Sequence, residues 1–357
     1  ALALVFAVMA AWHLPEIIAG PEPLYQIEGR KYGTLPGPIV PPALARFATA
    51  EVLFGALFAA AGFAALWRAR RPVLWAGVSA AAPIGLLVIA YWRVLGFELD
   101  LGWATAALAL AAISMVAAAR LQAGRSDRRL AAPLGVYAAA VVAFVSLGAA
   151  MTLREAWLTV ALALQLPALG WIFTRVPVDV IRKTAMIVVA VVVIRLVFNY
   201  RVLDYSLGAE PAFGWVLYGY GIPAVACWSA ARLFRRTAAD MLVVMLEGAA
   251  LAFAVLFVTF EIRLGIEGSL DSRGYGLLEQ SLQSIAWLSI AYALAVADRR
   301  SPHPVSLWGG RILLGLALAQ VVFLQLLRAN SVWTGTFVGE FPVANVLLLA
   351  YAIPAVF

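Results

Sequence analysis

The 357-residue chain is 64% hydrophobic and only 13% charged, about half the charged share of a soluble domain, roughly 25%. That excludes an ordinary soluble enzyme, a disordered regulator and a disulfide-stapled secreted module, and leaves a polytopic membrane protein. The excess of 26 Lys+Arg over 19 Asp+Glu points either to acidic partners such as nucleic acid or to an insertion bias, and the placement of the charges decides between them.

In chain order, the apolar runs predict about twelve spans: 1–19, 43–67, 72–94, 102–121, 132–153, 155–174, 184–200, 212–234, 240–260, 278–297, 308–328 and 342–357. The first and last are incomplete. The complete runs are too long for outer-membrane strands and lack their two-residue alternation. Helices satisfy every backbone polar group within one segment, so the expected fold is an all-α transmembrane bundle. Both ends look cut, and the chain reads as an internal portion of a longer polypeptide. Two loops are longer than the rest. Residues 20–42 hold six prolines, and residues 261–277 hold Glu261, Arg263, Glu267, Asp271 and Arg273.

The loops alternate in charge. Those after even-numbered spans, with the nearest span ends, carry sixteen basic residues (Arg68, Arg125 and Arg235 among them) and four acidic ones. The opposite side carries ten basic and thirteen acidic residues, and Glu51 and Glu247 lie inside spans. Such alternation is the positive-inside signature. It places the Arg-rich loops in the cytoplasm and removes the argument for nucleic acid. The bilayer is the expected partner, with other membrane proteins as candidates.

Self-comparison predicts a parallel repeat of 156–225 and 286–356, built from helical hairpins. The fourth and sixth spans open on Trp103-Ala-Thr105 and Trp157-Leu-Thr159, and the tenth carries the similar Trp287-Leu-Ser289. At a spacing of 131, Asn199, Gly208, Pro211 and Tyr220 meet Asn330, Gly339, Pro342 and Tyr351, and Ile222-Pro223-Ala224-Val225 meets Ile353-Pro354-Ala355-Val356. The prolines Pro83, Pro167, Pro223 and Pro354 predict kinks.

The segments Ala10-Ala11-Trp12-His13-Leu14-Pro15, Arg154-Glu155-Ala156-Trp157-Leu158-Thr159, Trp215-Val-Leu217-Tyr218-Gly219-Tyr220-Gly221-Ile222-Pro223, Phe260-Glu261-Ile262-Arg263 and Leu349-Ala-Tyr351-Ala-Ile353-Pro354-Ala355 resemble the very large uncharacterised bacterial "predicted membrane protein" family, a domain of unknown function. The resemblance covers most of the chain. It implies a bacterial inner-membrane location and carries over no catalytic residue.

Ionisable groups within a bilayer are functional candidates by default. Glu51, Arg195 and Glu247 qualify, with Gln165 as an intramembrane amide. Depth along the spans would let Glu51 and Arg195 share a level and line a polar cavity. The bland alternatives are snorkelling, structural pairing and interhelical hydrogen bonds. Glu261, Arg263, Glu267 and Asp271 form a candidate outer-face cluster. With one cysteine (Cys227) and two distant histidines (His13 and His303), no metal site and no cofactor is expected. The leading reading is a non-catalytic scaffold or accessory component of envelope biogenesis or transport. A membrane-embedded transferase acting on a lipid or glycan, and a transporter using Glu51 and Arg195, are the alternatives.

Overall fold

The computed structural model describes residues 1–12, 26–27, 30–31, 42–123, 128–153, 155–175, 177–198, 216–268, 276–330, 334–335 and 346–356. These residues are helical apart from turns and one pair of two-residue antiparallel strands, Gln26–Ile27 with Arg30–Lys31. Eight helices are long and apolar enough to cross a membrane: Leu44–Leu66, Pro72–Leu95, Leu101–Ala123, Ala131–Thr152, Trp157–Arg175, Met241–Glu267, Leu277–Arg300 and Pro304–Arg328. They correspond to eight of the twelve expected runs. The other four all reach into residues outside those described. One of them, 184–200, gives the helix Asp179–Phe198, which carries Asp179, Arg182, Lys183 and Arg195 within twenty residues.

The chain divides into two compact units, residues 1–154 with 178–181, and residues 155–177 with 182–357. In the first unit α1 (Leu2–Ala10), α2 (Pro42–Leu66), α3 (Pro72–Leu95), α4 (Leu101–Ala123) and α5 (Ala131–Thr152) pack as neighbours. Pro72 stands in the first turn of α3, where a missing N–H costs nothing. Gly96 ends that helix at φ 58, a left-handed cap that suits glycine.

Small residues set the approach of α2 to α3. A Cβ on Gly62 would lie 2.8 Å from both the Trp75 carbonyl oxygen and the Ser79 Cβ. Beside it, Ser79 Oγ donates to the Ala59 carbonyl at 2.6 Å, and Tyr137 Oη of α5 donates to Ser79 Oγ at 2.6 Å. Three helices are thereby tied in apolar surroundings. Gly62→Ala is expected to lower stability by about 1–3 kcal/mol through overpacking against backbone. Gly77→Ala, whose Cβ meets nothing within 4 Å, is expected to be neutral or mildly stabilising. Thermal unfolding in detergent compares the two.

The second unit contains α6 (Glu155–Arg175), most of α7 (Asp179–Phe198), α8 (Ile222–Arg235), α9 (Met241–Glu267), α10 (Leu277–Arg300) and α11 (Pro304–Ala319). Three stretches are wound as π-helix: Leu217–Gly221 leading into α8, Gln320–Arg328 continuing α11, and Leu348–Ala352. The Ile353 N–H donates to the Leu348 carbonyl at 3.0 Å, and the Ala329 N–H to the Leu324 carbonyl at 2.8 Å. Proline explains two of the three. Its ring crowds the carbonyl four residues back; a wider turn moves that carbonyl aside. Pro223 and Pro354 each follow a π turn by two residues. At these two prolines, where kinks are expected, the preceding turn is wound wide.

Helix α9 also runs past its expected end at residue 260 and stops at Glu267. Gly268 caps it at φ 67, its N–H donating to the Leu264 carbonyl at 3.0 Å. The first part of the expected 261–277 loop is therefore helical.

Candidate functional site

The extension of α9 changes what Arg263 can do. Held on a helix, it is buried against α10, and its Nη1 donates to Glu279 Oε1 at 3.1 Å. Gln283, one turn along α10, donates its Nε2 to the same oxygen at 2.9 Å. Glu279 is fully buried. A buried charge is tolerated only when paired and hydrogen-bonded, and Glu279 receives both.

A second polar row lies beside the first. The Gln280 carbonyl accepts from Gln320 Nε2 and from Gln325 Nε2, each at 3.0 Å. Gln325 Nε2 also donates to Ser284 Oγ at 2.7 Å. Tyr351 Oη donates to the Gln325 carbonyl at 3.0 Å. The π winding makes this convergence possible. At about 100° per residue, an α-helix would set residues 320 and 325 roughly 140° apart. An i→i+5 pattern stacks them on one face. Glu279 Oε2 and Gln325 Oε1 are buried with no hydrogen-bond partner among the described residues.

Glu247 of α9 belongs to a different cluster. Arg235, the last residue of α8, forms an ion pair with it, and His303 Nε2 stands 3.4 Å from its Oε2. Asp298 Oδ1 accepts the His303 backbone N–H at 2.9 Å and Ser306 Oγ at 3.1 Å. His303 Nδ1 accepts the Val305 N–H at 3.4 Å, capping α11. The cap leaves the imidazole proton on Nε2, toward Glu247. Burial, then the Arg235 charge, push the His303 titration below the ordinary 6.5, against the opposing Asp298. The unfolded chain then binds more protons than the folded one as pH falls through 6.5, so stability declines there. Between about pH 7.5 and pH 5.5 the wild type is expected to lose more thermal stability than His303→Gln.

Near the same end of α9, Arg182 Nη2 lies 2.6 Å from Asp240 Oδ2. The guanidinium also stacks over Phe173 and Phe234, 5.1 and 5.5 Å from the ring centroids. Asp240 caps α9 through the Val243 N–H. Burial alone would raise its titration, but the Arg182 hydrogen bond and charge, with the Val243 and Leu242 N–H groups, outweigh that and hold it low.

The remaining candidates fall in both units. Glu51 is buried in the first unit, and neither carboxyl oxygen has a hydrogen-bond partner among the described residues. Arg195 belongs to the second unit and donates its Nε to Thr159 Oγ1 at 2.9 Å. Gln165 is half-buried on α6, and Glu261 and Glu267 are half-buried on α9. Asp271 lies outside the described residues. Reasoning from sequence overlooked Gln280 and Gln325 and the pairing of Arg263 with Glu279. One signal was available: the run Glu279-Gln280-Ser281-Leu-Gln283-Ser284 makes α10 the least apolar of the eight candidate spans.

Long apolar helices with exposed apolar flanks and polar side chains paired inside each unit define an integral membrane protein of helix-bundle type. The chain belongs to the predicted membrane protein family DUF2339, whose family model matches residues 1–357. No curated protein and no solved structure matches it.

Proposed function

We propose that the chain is a non-catalytic scaffold or accessory component of envelope biogenesis or transport in a bacterial inner membrane. The observation that carries this reading is how ionisable groups at the helix contacts of the second unit are used. Arg263 with Glu279, Arg235 with Glu247 and Arg182 with Asp240 each join two helices. Such pairs fix helix register. The test is a strain carrying the protein with Glu261→Gln, Glu267→Gln or Asp271→Asn singly. A scaffold tolerates each. A single substitution that reproduces the deletion phenotype, with the protein still folded in the membrane, favours the transferase on a lipid or glycan instead.

The Arg-rich loops face the cytoplasm in this reading, on the strength of their charge alternation. A cysteine placed at Asp127 is then expected to resist impermeant maleimide in intact cells, and one at Asp271 to react. The reverse pattern contradicts the orientation.

We read residues 156–225 and 286–356 as a tandem parallel repeat. The π turns support this, since Leu217–Gly221 and Leu348–Ala352 are 131 residues apart, the spacing of the sequence match, and each runs into Ile-Pro-Ala-Val. The packing gives further support. The first π turn lies against α6 and the second against α10, the two helices that carry Trp157-Leu-Thr159 and Trp287-Leu-Ser289.

A further inference from the structure

We infer that Glu51 is a proton-binding site in the apolar core of the first unit, and that its neutral carboxyl is open to a lipid-soluble carbodiimide. The inference starts from register. Gly62 of α2 faces Ser79 of α3, and two turns away Gly55 faces Leu86, whose Cδ1 would lie 3.7 Å from an added Cβ. One further turn on each helix sets Glu51 opposite Ala90. Phe47, a turn beyond, packs in one cluster with Met9, Leu86 and Ala90. Glu51 thus sits midway along a stripe of Phe47, Glu51 and Gly55 turned toward α3.

Its side of the bundle holds no compensating charge among the described residues. Helix α1 has no charged residue. Arg93 is the one charge on α3, and its Nη2 donates to the Trp12 carbonyl at 2.8 Å, near the helix end. Tyr91 Oη donates to the Glu98 carbonyl. Arg46, on α2 itself, is exposed. An ionised carboxylate with neither cation nor hydrogen bond is costly in such surroundings, and binding a proton removes that cost.

Val52 and Leu53, on the faces of α2 turned away from α3, are strongly exposed, so a reagent dissolved in lipid reaches α2 at the level of the acid and meets the buried carboxyl when the α2–α3 contact opens transiently. The reaction is an addition. The acid proton passes to one carbodiimide nitrogen, and the carboxyl oxygen bonds to the central carbon. The acyl group then migrates to nitrogen to give a stable N-acylurea, and no group leaves.

The test uses the full chain in native membranes or nanodiscs, with dicyclohexylcarbodiimide as the probe. Mass spectrometry is expected to find the adduct on the peptide holding Glu51, declining as pH is raised, and absent from Glu51→Gln. Infrared spectroscopy is expected to show a protonated-carboxyl band at neutral pH that Glu51→Gln removes. If Glu51→Gln does not accumulate, the wild-type adduct site and its pH profile decide. An unmodified Glu51, with no carboxylic-acid band assigned to it, overturns the inference, as does an ion pair between Glu51 and a cation of residues 13–41.

Discussion

Arg263→Met is expected to destabilise the protein by about 3–5 kcal/mol, because it leaves Glu279 buried as an uncompensated charge. Glu279 is fully buried and loses with Arg263 its one ion-pair partner among the described residues. Gln283 still donates to Oε1, but one neutral amide does not replace a guanidinium. The double variant Arg263→Met/Glu279→Leu is expected to recover most of the loss, since well-packed apolar residues often replace a buried pair at little cost. Thermal unfolding of the purified protein in one detergent measures all three chains. A double variant no more stable than Arg263→Met would mean that the pair contributes more than charge cancellation.

Gln325→Leu is the second large effect. Its amide group donates to both the Gln280 carbonyl and Ser284 Oγ. Two buried hydrogen bonds disappear together, at about 1–3 kcal/mol for each group left unsatisfied. Gln320 donates to the Gln280 carbonyl at 3.0 Å and, at a longer 3.4 Å, to Gln283 Oε1, so with one weak bond of its two Gln320→Leu alone is expected to cost less. The double variant is expected to exceed the sum of the singles, since each glutamine holds the π segment that places the other. Additive losses would show that the winding of residues 320–328 does not depend on this carbonyl.

Much of the bundle was legible from apolar runs. The run 72–94 became Pro72–Leu95, and 132–153 became Ala131–Thr152, because a span must keep ~20 residues apolar whatever its neighbours are. The end of α9 was not legible. Glu261, Arg263 and Glu267 lower the hydropathy of any window, and a window cannot register that Arg263 meets Glu279. The three π stretches were hidden for a related reason: hydropathy carries no information about hydrogen-bond register. Pro223 and Pro354 marked the positions of two of them but not their form. The polar network was the least visible feature. Apart from the Gln283–Glu279 bond, its bonds join residues 16 to 45 positions apart, and such pairing is a property of the folded bundle. Glu51 and Glu247 stand out in the sequence as acids within apolar runs, yet they have different environments. Glu247 is ion-paired, whereas both oxygens of Glu51 are without a hydrogen-bond partner among the described residues.

In the proposed reading the buried Arg263–Glu279 network holds helices together and performs no chemistry. The most direct measurement is complementation of a deletion strain by the Arg263→Met/Glu279→Leu protein, with its membrane level and thermal stability checked alongside. The account predicts a folded protein that restores the wild-type phenotype. A folded, stable double variant that fails to complement would contradict it and assign the pair a direct part in the function.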